Sequence, residues 1–313
     1  MNSCDCERCW FAVNNGGPLQ PISLGFRKNS MAQIPSFRQL DQLGAGELVQ
    51  MAAREGWNPG IHDAKTFYRV DPNAFLGAFE NDQFVGGGAI VQHDSKFGFM
   101  GLFIVHPEFR GAGVGRKLWI ARRDRLIERL DEDASIGMDG VVTMVPFYAK
   151  GGFRPYYLSS RYQVRGFDSE CSDSIRTLTI NDFEEIATLD RSCFPSNRDS
   201  YLRAWIEQPD AVVAGIGTEL EGYGVLRPCK EGFKIGPLFA ASLDAAEELL
   251  RFFLSQAKGN LVSIDVPEPN HRAVKLCQSL GMEKVFECQR MYWGTRPEYE
   301  VNWIYGLTSF ELG

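Results

Sequence analysis

A chain of 313 residues has room for about two domains, and its 44% hydrophobic and 23% charged residues are typical of a globular protein, which excludes a disordered or fibrous one. No segment approaches the ~20 apolar residues that cross a bilayer, and the N-terminus lacks the basic-then-apolar order of a signal peptide, so we expect a cytoplasmic protein without membrane contact. The net charge of −7 argues against nucleic acid as a partner, because residues 1–170 hold 19 basic and 19 acidic side chains and residues 171–313 hold 14 and 21.

Residues 1–34 show no periodicity and are predicted to form a flexible N-terminal tail. The tail contains Cys4, Cys6 and Cys9, a spacing compatible with a bound metal, with a lipid or with neither. Three cysteines without a fourth ligand nearby do not complete a zinc site, so no metal is predicted. Translation from Met1 or from Met31 is left open.

A strand, a helix and a hairpin are predicted to open the folded part of the chain. The strand covers residues 36–40, the helix ends near Gly56, and the hairpin joins residues 74–79 to residues 84–92. Residues 55–72, between the helix and the hairpin, mix aromatic with polar side chains. These either line a pocket or act as core anchors and helix caps, and they include Glu55, Trp57, Asn58 and Asp63.

The most informative stretch is residues 97–116, FGFMGLFIVHPEFRGAGVGR. Its nine apolar or glycine residues, 97–105, predict a buried strand, and the apolar spacing after Gly113 predicts a helix. A glycine-rich loop that ends in a helix N-terminus offers backbone N–H groups to a phosphate. Two nucleotide motifs are excluded by spelling, because Lys117 is followed by leucine where a P-loop needs serine or threonine, and Arg116 stands at the third glycine of GxGxxG.

The rest of the first half is predicted as a loop over residues 131–137, a strand over 138–145 and a last strand over 155–163. From residue 175 the same order of elements returns, so the chain contains an internal repeat. The second copy lacks the glycine cluster and has Asp244, Glu247 and Glu248 at the matching helix start. Their charges would repel a phosphate group.

Two motifs in the first half resemble the GNAT superfamily of N-acetyltransferases. Arg110, Gly113 and Gly115 match the Q/R-x-x-G-x-G/A loop, and Tyr148, Gly152 and Phe153 match its Y-x-x-x-G-F helix. The two-domain order is similar to acetyltransferases of the YitH/HolE type over residues 35–306. The resemblance implies an α/β protein with tandem GNAT folds, each a mixed, mostly antiparallel sheet with splayed central strands flanked by helices. Residues 35–168 would bind acetyl-CoA, and residues 175–306 would form a second domain without a cofactor loop.

The resemblance also implies a binding site for acetyl-CoA as co-substrate, without a metal. Backbone groups of the central strand would contact the pantetheine, the loop would bind the pyrophosphate, and Tyr148 would donate a proton to the departing sulfur. The strand residues are Phe103, Ile104 and Val105, and the loop residues are Arg110, Gly111, Ala112, Gly113, Val114 and Gly115.

The predicted reaction is acetyl transfer from acetyl-CoA to the amine of a small molecule or a protein, in a ternary complex. A non-catalytic acyl-CoA-binding sensor or scaffold is the alternative. Family members commonly carry a glutamate base on the central strand, but residues 97–105 contain no carboxylate. Glu55, Asp63 and His93 are therefore the candidate bases, and the residues predicted on the acceptor side are Glu55, Trp57, Asn58, Asp63 and His93. The acceptor itself and the oligomeric state are not indicated.

Overall fold

The computed structural model describes residues 35–170 and 172–313. The predicted N-terminal tail, with its three cysteines, lies outside the described residues. The first half contains six strands and four helices: β1 (Ser36–Gln39), α1 (Gln42–Arg54), α2 (Asp63–Val70), β2 (Phe75–Glu80), β3 (Gln83–Gln92), β4 (Phe97–Val105), α3 (Val114–Ile127), β5 (Ser135–Val141), α4 (Val145–Lys150) and β6 (Arg154–Arg165).

The second half repeats this order with one addition, the short strand β13 after the last long strand. Helix α6 follows α5 as α2 follows α1. Neither α2, α6 nor β13 was predicted from the sequence. The elements of the second half are β7 (Ile175–Thr177), α5 (Phe183–Cys193), α6 (Asp199–Ile206), β8 (Val212–Ile216), β9 (Gly222–Pro228), β10 (Phe233–Ala240), α7 (Leu243–Gln256), β11 (Leu261–Pro267), α8 (His271–Ser279), β12 (Glu283–Trp293) and β13 (Ile304–Gly306).

One predicted strand is wrongly placed. The sequence predicted a strand over residues 138–145 after a loop, whereas β5 covers Ser135–Val141 and residues 142–150 form a 3-10 turn and then α4. The apolar run of residues 141–145 belongs to two elements, because Pro146 suits the first turn of a helix and removes the N–H that a strand would use. No helix of the described residues is long and apolar enough to span a membrane.

The strands form one continuous sheet in the order β1-β2-β3-β4-β5-β12-β6-β11-β10-β9-β8-β7, with β13 paired to β10. Among the described strands, only β4 with β5 and β10 with β11 pair in parallel. The predicted fold class, tandem halves built on mixed, mostly antiparallel sheets with flanking helices, is therefore confirmed. The two halves share a single sheet, which the sequence did not indicate.

The sheet is continuous because the halves exchange their last strands. Strand β6 was assigned to the first half, but both of its neighbours, β11 and β12, come from the second half. In return, β12 pairs with β5. Residues 35–168 and 175–306 consequently describe two sequence repeats, each of which takes one strand from the other.

A buried Arg–Asp pair fixes each exchanged strand. Arg161 of β6 lies directly opposite Asp265 of β11, and Arg290 of β12 lies directly opposite Asp139 of β5. Each guanidinium donates two hydrogen bonds of 2.7–2.8 Å to its carboxylate. Since a buried charge is tolerated only with a well-placed partner, a register slip of one residue would be costly.

A hydrophobic core lies between the halves on the face of the sheet that α1, α2, α5 and α6 cover. The rings of Phe67 on α2 and Trp205 on α6 stack with their centroids 6.0 Å apart. Leu307, Phe310 and Leu312, which follow β13, are buried in the same core. The last described segment of the chain is thus part of the packing between the halves.

Candidate active site

The glycine-rich loop has the backbone that its sequence predicts. Gly111 and Gly113 have φ angles of 80° and 79°, a region that glycine adopts without strain. A Cβ built on either residue would meet no atom of the described residues within 4 Å. Gly113 precedes the first turn of α3, whose N-terminus has no side-chain cap, so its N–H groups suit a pyrophosphate.

Arg110 is held in place at the start of this loop. Its Nε donates to the carbonyl of Val105 at 2.8 Å, and its Nη2 lies 2.5 Å from Oε1 of Glu55. Glu55 follows the last turn of α1 and is largely enclosed. The structure therefore gives this candidate base a different partner, and its carboxylate fixes the arginine of the loop.

The two parallel strands beside the loop diverge. Pairing between β4 and β5 ends at Phe99 and Gly137, while β4 continues to Val105 and β5 continues to Val141 beside β12. A bulge interrupts the pairing of β4 with β3, and Leu102 there has a φ of 49°, which is unusual for a residue with a side chain. Phe103, Ile104 and Val105, predicted to meet the pantetheine, follow this bulge along the opened edge.

Tyr148 lies against the opened part of β5. Its ring packs on Gly140, where an added Cβ would stand 2.7 Å from the ring, and its centroid is 6.3 Å from that of Trp119. Tyr148 is 5% exposed, and no described residue makes a hydrogen bond to its hydroxyl. Burial raises the pKa of Tyr148, and the nearby charge of Arg122 opposes this. The phenol therefore keeps its proton at neutral pH.

The segment that contains Trp57, Asn58 and Asp63 contacts the second half. The Asn58 side chain exchanges two hydrogen bonds with the backbone of Glu231, at 2.8 and 2.9 Å. The carbonyl of Trp57 accepts a hydrogen bond at 3.1 Å from Arg161 on β6, the first-half strand that pairs with the second half. Asp63 is fully buried, accepts the N–H of Gly60 at 2.7 Å and lies 3.5 Å from Arg227. These contacts support the structural alternative, core anchors and caps, for all three residues.

His93 lies in the core between the halves, at the opposite end of β4 from the loop. Its Nε2 is 2.8 Å from the carbonyl of Leu312, which can only accept, so Nε2 carries the hydrogen. Its ring contacts Phe97, Phe194 and Tyr201. Burial lowers the pKa of His93 to about 3, with a further contribution from Arg198 and an opposing one from Asp190. A neutral, enclosed imidazole of this kind is a poor candidate for the acceptor side.

The low pKa of His93 predicts a loss of stability in acid. In the unfolded chain the imidazole takes up a proton below a pH of ~6.5, whereas the folded chain excludes that proton down to a pH of about 3. The free energy of unfolding should therefore fall by up to ~1.4 kcal/mol for each pH unit below ~6.5. We expect His93→Gln, which keeps an N–H donor and cannot titrate, to reduce that slope in urea unfolding measured at a series of pH values. An unchanged slope would contradict the assignment.

The second half has a similar divergence, and the chain fills it. Pairing between β10 and β11 ends at Ile235 and Ile264, and β13 then pairs with Leu238 and Phe239 of β10. The N–H of Leu307 donates to the carbonyl of Asp265 on β11 at 2.7 Å. An added Cβ on Gly236 would stand 2.5 Å from the carbonyl oxygen of Leu307. A steric reason thus joins the charge of Asp244 in arguing against a second cofactor site.

From there the chain reaches β4 of the first half. An added Cβ on Gly101 would stand 1.7 Å from the carbonyl oxygen of Glu311, so only glycine permits this approach. Gly101 is the residue before the bulge at Leu102. Residues 304–313 therefore run from the place where β10 and β11 separate to the place where β4 and β5 separate. Their apolar spacing at Leu307, Phe310 and Leu312 was a signal of burial that the sequence analysis did not use.

The sequence matches two family models and is similar to several known proteins. Residues 45–169 and residues 186–306 each match a sequence model described as an acetyltransferase (GNAT) domain, and the two matches together cover more than half of the chain. Holothin acyltransferase of Pseudoalteromonas is 26% identical over 268 residues, which cover 84% of this chain and 90% of that protein. The N-acetyltransferase YitH of Bacillus subtilis is 23% identical over 85% of this chain and 94% of its own length.

Solved structures show the same fold. A putative acetyltransferase of Pyrococcus horikoshii superposes with a TM-score of 0.77 at 22% identity, over 92% of this chain and 99% of that one. A tandem GNAT protein from the clavulanic acid biosynthesis pathway superposes with a TM-score of 0.59 at 16% identity, over 85% of this chain and all of that one. At these identities the likeness concerns the fold alone.

Proposed function

Because the chain belongs to the GNAT family and is an acyltransferase that moves an acyl group to an amine, we propose that its donor is acetyl-CoA and that the first half alone binds it. One observation carries the proposal: β4 and β5 separate after Phe99 and Gly137, β4 leads into the loop with Gly111 and Gly113, and Tyr148 packs on Gly140 in the separated part of β5. The comparisons give no support to the alternative of a non-catalytic sensor.

The chain's own residues serve three tasks in this proposal. The loop and the N-terminus of α3 bind the pyrophosphate, with Arg110 fixed by Glu55 and by the carbonyl of Val105. The bulge at Leu102 interrupts the pairing of β4 with β3, and a backbone N–H of β4 near it polarises the thioester carbonyl. Tyr148 holds a proton beside the sulfur.

The acceptor is an amine of a small molecule or of a protein. Acetyl transfer needs that amine unprotonated, but a base on β4 is ruled out because the strand carries no carboxylate. Asp63 is engaged with Arg227, and Glu55 is engaged with Arg110. We therefore propose that the surplus proton of the amine leaves through water.

The test is ligand-induced stabilisation compared between two glycine variants. Gly113 and Gly259 have matching φ angles of 79° and 78°, and a Cβ on either meets no described atom. Aspartate at either position introduces the same backbone strain, yet only Gly113→Asp places a carboxylate in the proposed pyrophosphate site. Acetyl-CoA at a hundred times its Kd should add ~2.7 kcal/mol to the stability of the wild type and of Gly259→Asp, measured as a rise in Tm.

The Gly113→Asp protein should show no rise in Tm, and calorimetric titration of the wild type should give one CoA per chain. A wild type without a rise would defeat the donor assignment. An equal rise in Gly113→Asp would place the binding site elsewhere. Free thiol released with a panel of amines then identifies the acceptor class.

A further inference from the structure

One arginine stands on the buried face of α3. Val114, Leu118, Arg122 and Leu126 follow one another at intervals of four residues, so they share one face of the helix. All four are buried, and Arg122 is only 1% exposed. In the structure, a guanidinium occupies a position where the pattern calls for an apolar side chain.

The guanidinium of Arg122 sits beneath the bulge of β4. Its Nη2 donates to the carbonyl of Ala89 on β3 at 2.5 Å and to the carbonyl of Gly101 on β4 at 2.6 Å. These carbonyls belong to the last paired residues before the bulge at Leu102. Gly88 provides the space, since an added Cβ there would stand 2.3 Å from Cζ of Arg122.

Arg122 has no carboxylate partner among residues 35–170 and 172–313. The other buried arginines each lie within 4 Å of an aspartate, in the pairs Arg161–Asp265, Arg198–Asp190, Arg227–Asp63 and Arg290–Asp139. Nε of Arg122 is enclosed and has no hydrogen-bond partner in the same part of the chain. An uncompensated buried charge is expensive, so a structure that keeps one has a use for it.

The groups that face Arg122 belong to the proposed transfer site. Phe103 on the opened edge of β4 has its ring centroid 5.2 Å from Cζ of Arg122. Tyr148 on α4 is near enough for its phenol to raise the pKa of Arg122 and for the guanidinium to lower the pKa of the phenol. The thiol of Cys288 on β12 raises the pKa of Tyr148. Burial lowers the pKa of Arg122 to about 9, so the guanidinium is still charged at neutral pH.

We propose that Arg122 is the counter-charge for the sulfur that departs in the transfer step. The inference rests on the proposed function. In that step the amine nitrogen forms a bond to the thioester carbon, the carbon–sulfur bond breaks, and its electron pair stays on sulfur. The amine loses its proton to water, the sulfur takes one from Tyr148, and water returns a proton to Tyr148. Arg122 acts through space and through the bulge that it fixes, and it favours the anionic sulfur before the proton arrives.

The wild type provides the first test, with CoA and desulfo-CoA as probes. If Arg122 favours the thiolate, the affinity for CoA should rise as the pH increases from 6 to 8.5, because a free thiol has a pKa of ~8.5 and an opposite charge lowers it by roughly 1–3 units. Desulfo-CoA, which cannot ionise there, should bind with the same affinity throughout. Equal pH profiles for the two ligands would overturn the proposal. Failure of both ligands to bind would instead defeat the proposed function.

Variants show whether Arg122 is the residue that lowers the thiol pKa of bound CoA. The thiolate absorbance of CoA bound to the enzyme, followed against pH, should give a thiol pKa roughly 1–3 units higher in Arg122→Met than in the wild type. Arg122→Lys, which keeps the charge, should recover most of the lower value. Arg125→Met is the matched control, because Arg125 lies on the same helix with a half-buried side chain that donates a hydrogen bond to Gln39. We expect it to behave as the wild type does.

Turnover separates an electrostatic role from a structural one. Arg122→Met should lower kcat by about tenfold or more, since one pKa unit corresponds to a tenfold change, while the Kd of acetyl-CoA stays within about threefold. A thiol pKa in Arg122→Met equal to that of the wild type would overturn the proposal. Should that variant fail to fold, Arg122→Lys together with the wild-type comparison of CoA and desulfo-CoA decides the matter.

Discussion

Replacing Tyr148 with phenylalanine is expected to lower turnover by ~10²–10⁴-fold, the usual contribution of a positioned proton donor. The lower end of this range is the better expectation, because a thiolate is a good leaving group. The variant keeps the ring against Gly140 and removes only the hydroxyl. The affinity for acetyl-CoA should therefore barely change, and the loss should be seen in kcat.

The surroundings of the Tyr148 hydroxyl allow a catalytic loss in this variant to be distinguished from a loss of stability. A tyrosine among aromatic neighbours can use its hydroxyl to satisfy a buried partner, and its loss then destabilises the fold. No described residue makes a hydrogen bond to the Tyr148 hydroxyl, although the side chain is buried beside Trp119 and Phe153. The free energy of unfolding of Tyr148→Phe should accordingly stay within ~0.5 kcal/mol of the wild type.

Tyr157→Phe is the matched control. Tyr157 is also buried, but its hydroxyl is 2.9 Å from the hydroxyl of Tyr299, which bonds to Tyr292 in turn. Its removal should cost ~1 kcal/mol of stability and leave turnover near the wild-type value. If Tyr148→Phe keeps turnover within about twofold in a working assay, the proton comes from elsewhere and Tyr148 is structural.

The elements predicted well are those whose signals are local. Strand β4 has the predicted bounds, Phe97–Val105, and α3 begins directly after Gly113 as its apolar spacing indicated. The left-handed φ angles of Gly111 and Gly113 follow from the need for glycine in such a loop. Each of these features depends on a few neighbouring residues, so a pattern can reveal it.

Features set by distant pairing were not predicted. The alternation in β6 is satisfied equally well beside β5 or beside β11, so nothing in its own residues reveals the exchange of strands. Asn58 and Asp63 were polar residues in a connection, and only their contacts with Glu231 and Arg227 show that they join the halves. Arg122 gave no signal because a charge in a helix is normally solvated.

Removing the carboxylate of Asp265 is expected to cost ~3–5 kcal/mol of stability, the usual effect of leaving one member of a buried ion pair without its partner. Asp265 is 1% exposed and receives hydrogen bonds of 2.7 and 2.8 Å from Arg161 on the exchanged strand β6. Asp265→Asn retains the volume and removes the charge. Lys258→Ala is the control, because its pair with Asp168 is exposed, and we expect that variant to lose less than ~1 kcal/mol.

A double variant tests whether the pair specifies the exchange or merely tolerates its own charges. Arg161→Met combined with Asp265→Leu removes both charges and retains most of the volume, so its free energy of unfolding should lie much closer to the wild type than that of Asp265→Asn. Urea unfolding followed by two probes gives these values and checks that one transition is observed. A double variant as unstable as Asp265→Asn would show that the cost arises from lost packing. A stable double variant that no longer forms a single species would show that the Arg–Asp register keeps β6 between β11 and β12.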